Sequence, residues 1–238
     1  MQNEWKLDPI SFNTEFKNKC KIFDINEKDV KFYSQQDEEK YIIQYLLKEK
    51  ITDGTFLEVG GCDGILYNNT KTLEDFFNFT GILIEPQPSY FKRLVVNRPK
   101  CLCFNYAISC FKENKVEFIG DNACGGILQT QNTNIHKWPH WKPYYTPNIS
   151  LSNLINTKTN FTYIDFMIID VEGGEVNLLK SFDFDIDVFC IIIEAHSNQD
   201  HSEMMNILYK NGFVYKERQR GNQVWINHNS KRKHLFNT

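Results

Sequence analysis

The sequence predicts an α/β fold, a Rossmann-like doubly wound and mostly parallel sheet with a C-terminal antiparallel hairpin, and three observations predict it. From residue 51 onward, nearly unbroken apolar runs alternate with segments of helical period, the pattern of parallel strands covered on both faces. The stretch Thr55-Phe56-Leu57-Glu58-Val59-Gly60-Gly61-Cys62-Asp63-Gly64 is followed, 27 residues after Glu58, by Gly81-Ile82-Leu83-Ile84-Glu85-Pro86. Two apolar runs bearing acids on either side of a glycine turn are how such a sheet builds a nucleoside pocket. Finally, residues 213–218 and 222–227 read as two strands about Gln219-Arg220-Gly221.

Taken in order, residues 1–33 read as an arm over the domain, with Phe12, Phe16, Ile22, Phe23 and Phe32 as candidate anchors. Acids after Ser34 and the helical spacing of Tyr41, Ile42, Tyr45 and Leu46 predict an amphipathic helix over about 35–50. Residues 1–50 thus form an arm and helix covering the sheet, and residues 51–238 the main domain. Strands are expected at 55–60, 81–85, 101–107, 164–170 and 188–195, with helices at about 69–79, 88–97, 173–182 and 200–211, the last stopped by Gly212. The alternation breaks between 115 and 150. Lys115 to Ile119 is strand-like, residues 121–126 form a small-residue turn, and an aromatic insert at about 120–148 carries Trp138, Trp141, Tyr144 and Tyr145. Beside a nucleotide-binding sheet, such an insert is a lid, a substrate wall or a self-packed loop.

The chain has 238 residues, enough for one α/β domain plus an arm. A net charge of −3 provides no field for holding polyanions, so nucleic acid is not expected as a partner. Lys231-Arg232-Lys233-His234 is a basic cluster that reads as a solvated tail. The start lacks the order of an export signal and no run approaches a membrane span, so a cytoplasmic protein without membrane attachment is expected. Seven cysteines without a CxxC pair fit reduced thiols, and Cys101 and Cys103 read as core filler.

The chemistry concentrates at the strand ends. Glu58, Gly60 and Gly64 require a turn tight enough for backbone to touch a ligand. Cys62 stands where the dinucleotide fingerprint wants glycine, and Asp63 stands where phosphate would press, which weakens a NAD reading. Glu58, Asp63 and Glu85 would repel pyrophosphate but suit a cationic cofactor with a ribose, and S-adenosylmethionine (SAM) has both features. Glu85 can accept hydrogen bonds from ribose hydroxyls; the plainer alternative is that strand ends meet solvent and carry charge anyway. Asp165 to Glu175 supplies an apolar strand delivering Asp170 to the ligand edge, and Gly173-Gly174 turn the chain into a helix. Glu172 and Glu175 would lie in its first turn, where acids also serve the helix dipole. In Glu194-Ala195-His196 the alternation of a strand places Glu194 and His196 on one side.

These residues resemble the FkbM family of methyltransferases, especially the branch with a Ser-Asn-Thr loop; here Asp63-Gly64 is followed by Asn68-Asn69-Thr70 and Leu73-Glu74. Similarity continues through Gly81 to Pro88, Asn97-Arg98, Asn105 to Ser109, Ile149 to Leu154 and Ile164 to Glu175, covering about residues 53–227. The resemblance implies the class I methyltransferase fold, SAM as donor and a hydroxyl acceptor, often on a sugar or glycan. It implies that Glu58, Gly60, Gly61, Asp63, Gly64, Asn69 and Thr70 surround the methionine moiety. Glu85 and Pro86 would then take the ribose, Asn105, Ala107 and Ile108 the adenine, with Asp170 completing the cofactor set. Asn68 and Asn153 depart from the family's serine and aspartate.

A sugar hydroxyl needs positioning and proton removal as the methyl transfers. Asp170 and His196 are the candidate bases, with Glu172 alongside. Asp170, Glu194 and His196 could instead hold Mg²⁺ or Mn²⁺. His136, Trp138, His140, Trp141 and Tyr144 are the expected acceptor contacts. Rival readings are a methyltransferase acting on a small alcohol, lipid or RNA cap, and a non-catalytic binding module of the same fold.

Overall fold

The structure is a computed structural model that describes residues 9–120, 123–130, 140–195 and 198–238. The chain begins with α1 (Pro9–Phe23), then α2 (Glu38–Tyr41), which runs directly into a π-helical turn at Ile42–Leu46. The first half of the sheet alternates β1 (Gly54–Val59), α3 (Lys71–Phe76), β2 (Phe79–Ile84), α4 (Pro88–Asn97) and β3 (Leu102–Phe104). Four short strands follow: β4 (Ala107–Ile108), β5 (Lys115–Ile119), β6 (Gly126–Ile127) and β7 (Tyr144–Ile149). The second half resumes with α5 (Leu151–Lys158), β8 (Tyr163–Ile169), α6 (Glu175–Lys180), β9 (Asp187–Glu194), α7 (Asn198–Lys210), β10 (Phe213–Gln219) and β11 (Asn222–Asn227).

Seven strands pair in the order β10-β11-β9-β8-β1-β2-β3, and only β11 runs against its neighbours. The order reverses between β1 and β8, the topological switch point at which doubly wound sheets bind ligands. Alternation along each strand divides the core in two. On one face Phe56, Phe166 and Ile192 pack with Phe16, Cys20 and Phe23 of α1, the π-helical turn, and Leu73 and Leu94. On the other, Leu57, Met167, Ile191 and Trp225 pack with Leu154, Leu178, Met204 and Leu208. Each fully buried side chain of this size contributes roughly 1.5–3 kcal/mol.

Local signals account for the helix ends. Pro88 occupies the first turn of α4, where its missing N–H costs nothing. The Ser150 hydroxyl caps α5 by accepting from Asn153 N at 3.2 Å. Gly212, at φ 85°, ends α7.

Three expectations are corrected. The strand expected at 101–107 splits: β3 stays on the large sheet, while β4 joins a second sheet of order β4-β7-β5-β6. The helix expected at 35–50 is one α-turn and one π-turn, because Asp37 enters it at φ 65° and Leu47 already bridges Phe236. The arm at residues 1–33 contains α1, whose Phe16 and Phe23 are buried in the core with Cys20, whereas Ile22, also expected as an anchor, is exposed. Among the described residues no helix is long and apolar enough to cross a membrane.

Candidate active site

The carboxyl ends of β1, β2 and β8 open into a cavity lined there by Gly60, Glu85 and Asp170. The strand ends are stitched together. Asp170 N donates to Val59 O at 3.1 Å, and Gly60 N and Gly61 N donate to Ile84 O at 3.0 and 3.1 Å. A Cβ on Gly60 would lie 2.0 Å from Asp170 O, and its φ of 97° is unsuited to a side chain, so this position needs glycine twice over. The second sheet roofs the cavity with Phe118 and Ile127, and the small-residue turn adds Ala123 and Gly125. A Cβ on Gly125 would meet Phe118 at 2.7 Å and Gln87 at 2.8 Å, so these side chains would have to move to admit one.

Glu85 is held at the cavity by backbone N–H groups. Its Oε2 accepts from Cys62 N at 2.9 Å and its Oε1 from Gln87 N at 2.8 Å, leaving further lone pairs on both oxygens. Burial pushes its carboxyl up to about 8, against the pull of those two N–H groups. The Asn105 amide donates to the carbonyls of Glu85 and Pro86 at 2.8 and 3.0 Å, so it shapes the wall without lining it. Tyr106, Ala107 and Ile108 continue that wall.

At the other end, oxygens of Asp170, Glu172 and Glu194 all lie within 4.8 Å of one another. Burial raises Asp170 well above the usual carboxylate range, and the neighbouring Glu194 raises it further through charge and a shared hydrogen bond. Glu172 takes a left-handed backbone (φ 56°), and Cys62 on the facing loop takes another (φ 48°). Two non-glycine residues held in this region at one cavity are the kind of strain that functional sites retain.

Several residues expected to touch a cofactor lie elsewhere. Glu58 is fully buried behind the wall, because strand parity turns it to the face of Phe56 and one more residue, Val59, separates it from the strand end. It accepts from Asn69 N at 2.8 Å and from the Thr70 hydroxyl at 2.6 Å, which draws both residues away from the cavity as well. Asp63 folds back on its own turn, accepting from Ile65 N and Leu66 N at 3.0 and 2.8 Å. Gly61 faces Leu83 and Leu94, and Gly64 faces Arg98. Pro86, Ala107, Ile108 and Glu172 do line the cavity.

The aromatic insert also differs from the expectation. Tyr144 and Tyr145 belong to β7, and Tyr144 packs on Phe118 with ring centroids 5.7 Å apart. Trp141 is buried, with the His140 ring 6.3 Å away and His140 exposed. None of these four is among the described residues lining the cavity. His136, Trp138 and His196 lie outside the described residues, so of the expected metal set Asp170 and Glu194 are brought together, with Glu172 as the third member. Sequence reasoning missed Cys62, Gln87 and the second-sheet residues Phe118 and Ile127 as cavity residues. Gln87 stood in plain view between Pro86 and Pro88, whereas pairing of two- to six-residue strands leaves no local signature.

The family model described as the methyltransferase FkbM domain matches residues 58–215. No curated protein matches. Among solved structures, the chain is similar to precorrin-6y C5,15-methyltransferase from Geobacter metallireducens (8% identity, 74% of this chain and 80% of that one, TM-score 0.41). It is also similar to the ribosomal protein L11 methylase of Lactobacillus delbrueckii subsp. bulgaricus (10%, 79% and 72%, TM-score 0.39). A third is TrmK of M. capricolum in complex with S-adenosyl-homocysteine (9%, 75% and 63%, TM-score 0.39). With the family model spanning β1 to β10 and the cavity at the switch point of its sheet, the chain belongs to the FkbM family of SAM-dependent methyltransferases.

Proposed function

We propose that this methyltransferase acts on a hydroxyl group of a sugar or glycan. The observation that carries the reading is the position of Asp170, which faces the cavity with Glu172 and Glu194 close by. An amine or thiolate acceptor needs little help to attack a methyl sulfonium. A neutral hydroxyl needs its proton taken as the bond forms, and a carboxylate of raised proton affinity is suited to that.

The residues present fit the donor. Glu85 offers two anchored oxygens for ribose hydroxyls. Ile108, Phe118 and Ile127 offer apolar faces for the adenine. When bound, SAM supplies an electrophilic methyl group on a positively charged sulfur. The carboxylates at the Asp170 end favour that charge and, in turn, are favoured in their ionised form by it. Asp170 and Glu194 share a hydrogen bond, so a pair holding one proton between them can take up a second from the acceptor hydroxyl. Glu172 and Glu194 orient the hydroxyl or Asp170.

A second reading is favoured by the 4.8 Å grouping of the three carboxylates. An all-oxygen set of this size suits Mg²⁺ or Mn²⁺, which would lower the pKa of a bound hydroxyl. One assay tests both readings: methyl transfer from labelled SAM to a panel of free and linked monosaccharides, with EDTA, Mg²⁺ or Mn²⁺. Transfer to saccharides that persists in EDTA supports the acid–base reading, and dependence on the ion supports the metal. Transfer confined to a small alcohol, a lipid or capped RNA removes the sugar, and donor binding with no transfer to any class leaves a binding module.

A further inference from the structure

Arg98 is the largest charged side chain in the interior and is 0% exposed. It sits just past α4, and its guanidinium is spread over the loop after β1 and the helix α3. Nε donates to Glu74 of α3. Nη1 donates to Asn68 Oδ1 at 2.6 Å and reaches Gly64 O at 3.5 Å, while Nη2 donates to the Thr70 hydroxyl at 3.1 Å. The Thr70 hydroxyl in turn donates to Glu58 Oε2 of β1 at 2.6 Å. The Arg98 stem also packs against the loop, because a Cβ on Gly64 would lie 2.6 Å from its Cγ.

The loop so held is the cavity wall. Gly60 and Cys62 line it, and Cys62 N fixes Glu85. Four of its residues have positive φ: Gly60 at 97°, Cys62 at 48°, Gly64 at 81° and Tyr67 at 53°. A loop in that conformation persists only if its surroundings over-determine it. Arg98 does this from behind, with Asn97 adding a bond to Asp63 O at 2.7 Å. A lysine could not replace it, since one ammonium cannot present a planar fork to Glu74, Asn68 and Thr70 together.

We propose that Arg98 is a positioning residue for the methyl donor: without touching the cavity, it locks the Gly60–Thr70 loop in the shape that binds SAM. The inference rests on family membership for the donor and is independent of the acceptor proposed above.

The test compares Arg98→Lys with Arg232→Lys, a second buried-edge arginine remote from the loop, and with Thr70→Val, which removes the hydroxyl between Arg98 and Glu58. Binding of SAM and S-adenosylhomocysteine is measured by calorimetry well below each variant's Tm, with amide exchange followed by mass spectrometry. Arg98→Lys should weaken both ligands about ten-fold. It should also speed exchange in residues 60–70 while leaving β8 and β9 protected. Arg232→Lys should lower Tm yet keep affinity within about two-fold. If Arg98→Lys does not fold, Thr70→Val carries the test, with about three-fold or greater weakening expected. Wild-type affinity in a folded Arg98→Lys or Thr70→Val, or an equal loss in Arg232→Lys, overturns the role of Arg98 alone. A wild-type protein that binds neither ligand overturns the donor assignment and this proposal with it.

Discussion

The two edges of the sheet treat buried acid in opposite ways. At the edge where the strands begin, Asp165 is 0% exposed, and Arg232 donates to it through Nε at 2.7 Å while reaching Asp53 through Nη1 at 3.1 Å. Burial works against the charge of Arg232, but its bonds to Asp165 and Asp53 outweigh that and raise its pKa. At the edge where the strands end, Glu85 is held by two backbone N–H groups and Asp170 by the Glu194 carboxyl group, and among the described residues neither forms an ion pair with Lys or Arg. An acid whose partner is built in serves stability. Acids gathered around a cavity and held by backbone N–H groups or by one another suit a cation that arrives from outside, and SAM carries one.

The sharpest way to break this contrast is at Asp170. Asp170→Asn should lower turnover by about 10²–10⁴-fold, with Tm equal to or above that of the wild type, because the unfavourable pairing of Asp170 with Glu194 is relieved; initial rates with labelled SAM and a thermal melt check it. A fall in Tm with turnover preserved would place Asp170 in the same class as Asp165.

Next in size is the opposite edge. Arg232→Met leaves Asp165 without its cation and should cost about 3 kcal/mol or more, read from the urea midpoint. Donor affinity should stay within about two-fold, since the sites are far apart and share no partner.

Glu85→Gln should weaken SAM about 10- to 100-fold, the loss of one or two charge-assisted hydrogen bonds. The pH dependence sharpens the point. Glu85 binds its proton more tightly folded than unfolded, so its contribution to stability is fully present below about 4.5 and is lost as the pH rises through about 8. Glu85→Gln should therefore lose less stability than the wild type across that window. SAM binding near neutral pH should release a proton in the wild type and less in the variant, measured by calorimetry in buffers of differing ionisation enthalpy.

The smallest effect on stability belongs to Glu172. Glu172→Gly relieves a side chain at φ 56° and should raise stability by about 1 kcal/mol, while lowering turnover. Loss of both would mean that Glu172 serves the fold.

Much of this was legible beforehand because it is local. Strand and helix alternation appeared at nearly the observed places, and α4 was expected over the same residues that it occupies. Glu85 and Asp170 were legible because each follows directly on an apolar strand that must end at the ligand edge. Glu58 misled for a geometric reason. One residue before the strand end reverses the side, and that side faces α3 and α4. The second sheet stayed hidden because β4 and β6 have two residues each, too few for a period, and because β7 carries Pro147 among its aromatics.

Periodicity along one segment, the residues that stop it and the sign of its charges are properties of neighbours in the chain, so the amino acids alone were sufficient for the sheet, its ligand edge and a cationic donor. Whether a given acid faces a cavity, a guanidinium or another acid depends on strand register and on contacts between distant segments, such as Arg98 with Glu74 and Arg232 with Asp165. Those pairings are set by the packing of helices onto both faces of the sheet, and only the folded chain decides them.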